Sequence, residues 1–177
     1  MKLLFIVNPI AGKGNTRDAI PYIEKFCTEH GFECTIIQTT KPGEAPQLVR
    51  DNCAGYSVVI AVGGDGTVLE VTNGLKGTDI PLGIIPLGSG NDFARAVSIP
   101  IGLKNIEQSL QIIASKPARL IDLPSFNGHV FLNIASIGFD AEIIRDLHRI
   151  KRFIKGKTAY LLSVFVKFLT YKPKEVE

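Results

Sequence analysis

Cysteine is scarce in this sequence, and its spacing suits neither metal nor disulfide chemistry. Cys27, Cys34 and Cys53 form an odd set without a C-x-x-C pair. They are expected to be small buried hydrophobes of a reducing cytoplasm. Charge is not in large excess either: a formal net charge of +3 is too small to imply nucleic acid as a partner. No segment approaches the ~20 apolar residues of a membrane span. The nearest, residues 160–169, is apolar except for Ser163 and Lys167 and suits a buried or interfacial helix. The opening MKLLFIVNP has only five apolar residues before Asn8 and Pro9, too few for the apolar region of a signal peptide, so it reads as a first strand. Internal repeats and low-complexity tracts are absent as well.

What is present is an ordinary globular composition, 45% apolar and 21% charged over 177 residues, enough for one full core and part of a second. Lys2–Val7 is a continuous apolar run, the mark of a strand buried on both faces. Residues 15–30 carry Ile20, Ile23, Phe26 and Cys27 at helical spacing, ended by Gly31. Strands are expected at 33–39, 57–62 and 81–86, with helices at 45–53, 67–75 and 91–97. Strand and helix thus alternate with short connections, which predicts an α/β fold with a doubly wound, mainly parallel sheet over residues 1–117. After Pro100 the pattern changes. An amphipathic helix at 104–115 precedes two expected strands, 118–123 and 129–137, with a turn at Asn127–Gly128 and then a basic helix. Residues 118–177 read as the start of a second, β-rich domain that does not close a core of its own.

Ligands of open α/β sheets bind at the carboxyl ends of the strands, and here each end carries glycine or hydroxyl residues. The four loops begin at Asn8, Thr39, Gly63 and Leu87. Their backbone N–H groups, with helix amino termini behind them, favour phosphate, and Lys13 adds a candidate positive charge. Asp65, inside Gly63-Gly64-Asp65-Gly66-Thr67, is a poor phosphate ligand because two anions repel. Its natural tasks are holding magnesium, directly or through water, or taking a proton from an attacking hydroxyl. Two familiar phosphate motifs fail. Val7 stands where a Walker A loop ending in Gly12-Lys13 needs its first glycine, and Leu69 or Phe93 where the third glycine of a Rossmann fingerprint belongs.

The blocks NPIAGKG, GGDGTVLEVTNGL and LGIIPLGSGNDFARAVSIP, in this order and spacing, resemble the diacylglycerol kinase catalytic-domain family, which includes sphingosine kinases and bacterial lipid kinases. FLNIASIGFDAEI and KGKTAYLLSVF resemble the start of that family's second, lipid-binding domain. The resemblance implies ATP-dependent, magnesium-requiring phosphorylation of a lipid hydroxyl such as that of diacylglycerol. It also implies which residues bind nucleotide: Asn8, Pro9, Ile10, Ala11 and Gly12 of the first loop and Thr39 of the second. From the third come Gly64, Asp65, Gly66, Thr67, Val68, Leu69 and Glu70, and from the fourth Ser89, where the family usually has threonine. Asp65 would be the catalytic carboxylate. Glu70 could instead complement its helix dipole, and Asn91 and Asp92 either cap the following helix or touch the site. Asp140 either caps a helix or lies near the lipid hydroxyl.

In this family, late residues of the second domain complete the magnesium site and the general base, and the chain ends before them. It is expected to be a piece of a longer protein or a natural short form, keeping nucleotide binding with weak or absent kinase activity. A cytoplasmic protein, peripheral at the membrane, is expected. Arg145, Arg149, Lys151, Arg152, Lys155 and Lys157 form either a solvated helix face or a surface for anionic headgroups. Two other functions stay open: phosphorylation of a soluble acceptor, as in NAD kinase, and a non-catalytic nucleotide-binding module.

Overall fold

Four apolar runs and the helices between them build one parallel sheet. The structure is a computed structural model; it describes residues 1–14, 16–136, 138–150 and 157–171, with side chains other than those of 13–14, 146–150 and 157–160. Strands β1 (Lys2–Val7), β2 (Glu33–Gln38), β3 (Val58–Gly63) and β4 (Leu82–Pro86) lie in the order β2-β1-β3-β4. All three pairings are parallel, with Val7 level with Gln38 and Val62, and Gly63 level with Pro86. The strand ends, and the loops that leave them, therefore stand along one rim.

Side chains alternate across the sheet and fill two apolar layers. Leu3, Phe5, Val7, Ile60, Val62 and Ile85 meet α1 (Ile20–His30) and α5 (Ile106–Ser115) through Ile23, Phe26, Ile106 and Leu110. Leu4, Ile6, Val59, Ala61 and Ile84 meet α2 (Ala45–Asn52), α3 (Asp65–Leu75) and α4 (Asp92–Ala96) through Val49, Val68, Val71 and Phe93. Helices cover both faces, as continuous apolar strands require, and the expected doubly wound α/β fold is the one observed. Helix α1 starts later than its apolar spacing predicts: a 3-10 turn at Arg17–Ala19 leads into it, and Pro21 takes the first turn, where its missing N–H costs nothing. Gly31 ends the helix in the left-handed region at φ 64°.

The chain divides into two compact units, Met1–Asn133 and Ile134–Glu177. The first includes a hairpin of β5 (Ser125–Phe126) and β6 (His129–Val130). Its two turn residues, Asn127 and Gly128, have φ of 48° and 78°, the left-handed pair that a two-residue hairpin turn needs. Asn73 of α3 brackets the hairpin, donating to the Val130 carbonyl and accepting from the Val130 N–H, each at 3.2 Å. The longer strands expected at 118–123 and 129–137 do not form among the described residues. Leu120 is fully exposed and Ile121 half exposed, so these β-prone residues have no neighbouring strand to pair with. In the second unit, α6 (Phe139–Ile150) and α7 (Lys157–Thr170) are joined by Glu142, which accepts from Lys167 at 2.9 Å and Arg145 at 2.7 Å. Asp140 is exposed in the first turn of α6. Leu161, Phe165, Phe168 and Leu169 of α7 are exposed. Among the described residues no helix is long and apolar enough to cross a membrane.

Candidate functional site

The chain runs from β1 outward to β2, then returns to lay β3 on the other side of β1. That reversal opens a crevice at the carboxyl ends of the strands. Here it is a cavity of about 590 Å³, walled by all four strand-end loops.

The first loop is held by its own polar side chains. The buried Thr16 hydroxyl donates to the Asn8 carbonyl at 2.6 Å, and Asn8 Oδ1 accepts from the Ile10 N–H at 3.2 Å. Asn8 Nδ2 donates to the Thr67 hydroxyl at 3.2 Å, tying this loop to the first turn of α3. The second loop folds around Glu44, whose carboxylate accepts from the Thr40 N–H at 2.6 Å and the Thr40 hydroxyl at 3.0 Å. These bonds hold the Glu44 carboxyl below the usual glutamate range. Gly43 N–H and Ala45 N–H donate to the two oxygens of Glu70 on α3, at 3.1 and 3.4 Å.

The third and fourth loops touch backbone to backbone. A Cβ on Gly88 would lie 2.3 Å from Gly64 Cα, and one on Gly64 would lie 3.1 Å from Gly88 Cα. These two glycines are therefore required by each other, not by a ligand alone. A Cβ on Gly66 meets nothing within 4 Å, so its open face is left toward the cavity it lines. The first N–H groups of a helix have no partner inside it. The start of α3, with Gly64, Gly66 and Thr67 in the wall, therefore offers donors and the positive end of a helix dipole. In the fourth loop Asn91 and Gly88 exchange two bonds of 2.8 Å, Gly88 N–H to Asn91 Oδ1 and Asn91 Nδ2 to the Gly88 carbonyl.

Of the nucleotide-binding residues expected from the resemblance, Asn8, Pro9, Ile10, Ala11, Gly12, Thr39, Gly64, Gly66, Thr67, Glu70 and Ser89 come together in the cavity wall. Asp65, Val68 and Leu69 do not line it. Val68 is 3% exposed in the core behind the helix, and helical rotation turns Leu69 away from positions 66, 67 and 70. Asp65 points to the fourth loop: Oδ2 accepts from the Asn91 N–H at 2.7 Å and Oδ1 from the Phe93 N–H at 3.2 Å. It thus caps α4, whose own boundary residue Asn91 makes no side-chain cap. Asn91 bonds Gly88 instead, within the site.

The wall also contains Arg17, Gln38, Thr40, Lys41, Pro42 and Gly88, which were not among the expected residues. Thr40, Lys41 and Gly88 belong to strand-end loops legible in the sequence; Arg17 carries no motif at all and reaches the site only through the fold. Arg17 and Lys41 supply cationic groups, and the Glu70 carboxylate is already engaged by two N–H donors. The cavity is suited to an anion with several acceptor oxygens. The side chain of Lys13, and the basic cluster apart from Arg145, lie outside the described residues.

Magnesium was expected beside this pocket. Among the described residues no group of three or more acidic, histidine or cysteine side chains could cage a metal. Asp65 Oδ2 and Asp92 Oδ2 flank Gly90, 2.9 and 3.5 Å from where its Cβ would be. One or two carboxylates, with the rest of the shell from phosphate and water, is the usual magnesium arrangement, and the donor chemistry fits it.

The family model for the diacylglycerol kinase catalytic domain matches residues 2–126. A "Diacylglycerol kinase" of Bacillus subtilis is 33% identical over 175 residues, covering 97% of this chain and 57% of the relative. A protein of Pseudomonas aeruginosa named "Probable lipid kinase YegS-like" is 36% identical over 143 residues, 79% of this chain and 46% of that one. A crystal structure titled as a diacylglycerol kinase from Bacillus anthracis superposes with a TM-score of 0.61 at 35% identity, covering 75% of this chain and 48% of that one. The chain spans about half the length of the curated relatives it matches.

Proposed function

The chain belongs to the diacylglycerol kinase catalytic-domain family, and on that premise we propose that it is the nucleotide-binding part of an ATP-dependent lipid kinase. The reaction is transfer of the γ-phosphoryl group to a lipid hydroxyl, as in diacylglycerol. The observation that carries this reading is the cavity at the sheet's reversal, walled by the amide-rich start of α3 and by Lys41 and Arg17. These groups suit a triphosphate: the amides take phosphate oxygens, and the cations offset their charge.

In the transfer, the lipid oxygen forms a bond to the γ-phosphorus while the bond between that phosphorus and the β–γ bridging oxygen breaks, leaving ADP. The hydroxyl proton passes to a base. Catalysis of this kind is mainly positioning and charge stabilisation. When bound, magnesium neutralises charge on the phosphate oxygens. Asp65 is the residue proposed to hold it, with Asp92 beside it; a carboxylate has about four acceptor sites, so the two backbone bonds to Asp65 leave capacity. Residues 118–177 would begin the lipid-binding domain, and the whole protein would work as a peripheral cytoplasmic enzyme at a membrane surface.

Titration calorimetry of ATP with magnesium into this chain tests the first half of the reading, and saturable binding is expected. A chimera that appends the remaining carboxy-terminal length of the Bacillus subtilis relative tests the second. Labelled phosphate should appear on diacylglycerol in mixed vesicles and not on NAD, and Asp65→Asn should abolish it. Phosphate on NAD alone, or no ATP binding by the chain, would overturn the proposal.

A further inference from the structure

Helix α3 carries two carboxylates, and each caps a different helix. Asp65 accepts the Asn91 and Phe93 amides at the start of α4, and Glu70 accepts the Gly43 and Ala45 amides at the start of α2. Neither α2 nor α4 receives a side-chain cap from its own boundary residue, Glu44 or Asn91. Five positions along a helix correspond to ~140° of rotation, so the two carboxylates leave α3 toward opposite walls of the cavity. For Glu70 to reach, α3 must lie close against α2, and it does. A Cβ on Gly74 would sit 2.6 Å from Val49 Cβ and 2.9 Å from the Pro46 carbonyl. The Glu70 side chain itself lines the cavity, where an uncommitted carboxylate would repel phosphate.

We propose that Glu70 is a positioning residue: it acts on the nucleotide through the loop it holds, not by contact. By fixing Gly43 and Ala45 it fixes the preceding segment, Thr39 to Pro42, which forms the cavity wall on the β2 side. The two amide donors also turn its charge away from the ligand. The inference rests on the nucleotide reading for its ligand, but the clasp itself can be tested without one.

The test compares wild type, Glu70→Ala and Glu70→Gln as the full chain, by amide hydrogen exchange without nucleotide and by calorimetric titration of ATP with magnesium. In Glu70→Ala, Gly43 and Ala45 should lose protection while the β3 amides keep theirs. The ATP dissociation constant should rise ~10-fold, the scale of losing a helix cap. Glu70→Gln, which keeps one acceptor oxygen, should fall between the two in both measurements and serves alone if the alanine variant does not fold. ATP affinity lost with Gly43 and Ala45 still protected would overturn the proposal, since Glu70 would then act on the ligand directly. Protection lost with ATP affinity intact would overturn it equally. Should wild type bind no ATP, the nucleotide reading fails by itself. The exchange data still decide the clasp: unchanged protection refutes it, and lost protection supports it.

Discussion

Replacing Gly88 with alanine, and Gly66 with alanine as its counterpart, separates glycines needed for packing from a glycine needed for ligand. Gly88 is not in the left-handed region, so Gly88→Ala carries no torsional penalty and its cost is steric. The new methyl would lie 2.3 Å from Gly64 Cα and 2.9 Å from Asn91 Oδ1. Ordinary carbon contacts lie at about 3.5–4.0 Å, so the two loops must part by more than ~1 Å. Overpacking of this kind costs ~1–3 kcal/mol. On a scale of ~2–4 °C per kcal/mol for chains of this size, the melting temperature should fall by ~2–12 °C. Separating the loops also displaces Ser89 and the start of α3, so ATP affinity should fall with stability. Gly66→Ala meets open space and sits in a helix, where alanine is favoured over glycine by up to ~1 kcal/mol. Its melting temperature should stay level or rise, while ATP affinity drops ~10-fold or more as the methyl occupies the approach to the phosphates. Thermal denaturation by circular dichroism and calorimetric ATP titration read both effects. A Gly88→Ala protein as stable as wild type would refute the packing explanation. A Gly66→Ala protein with wild-type ATP affinity would refute the ligand explanation.

Three further outcomes are expected. Phe5, fully buried in the β1 layer, should cost ~3–5 kcal/mol of stability as Phe5→Ala, measured by urea denaturation; a loss under ~1 kcal/mol would mean that the layer is not packed as described. The Glu44 carboxyl lies below its ordinary range because the Thr40 N–H and hydroxyl favour its charged form. Its contribution is therefore complete above the unfolded-state value of ~4.3 and lost as pH falls through the lower folded value. Carboxyl NMR should show it titrating below a free glutamate, with the Thr40 amide moving at the same pH; titration at or above the ordinary value would contradict the loop geometry. Burial, with Cys34 next to it, pushes the Cys27 thiol up to about 12, so at pH 8 only ~1 in 10,000 is thiolate. Iodoacetamide mapped by mass spectrometry should label half-buried Cys34 and spare Cys27, and equal labelling would count against that burial.

Much of the fold is local in origin and therefore legible from residues alone. A strand covered by helices on both faces must be apolar at nearly every position, and Lys2–Val7, Val58–Gly63 and Leu82–Pro86 are. Gly31 ends α1 because its left-handed backbone is cheap only for glycine, and Asn127–Gly128 turns the hairpin for the same reason. The four rim loops follow from where those runs stop. Sheet order, by contrast, depends on which runs find each other. The order β2-β1-β3-β4, with its reversal beside β1, is what gathers loops distant in sequence around one cavity and brings Arg17 into its wall. The direction of a side chain was equally a tertiary matter. Asp65 looked like a group facing a ligand, yet its carboxylate meets two amides of α4, because those donors arrive from a loop 26 residues later. Gly64 and Gly88 looked like two separate phosphate turns and prove to be one contact. The strands expected within 118–137 show the converse case. Their β-prone residues make a strand only where a partner supplies ladder bonds and cover, and among the described residues just four of them, in the hairpin held by Asn73, find one. Composition and turn chemistry determined the parts and the rim. Contacts between residues far apart in the chain decided what each carboxylate and glycine of the site holds.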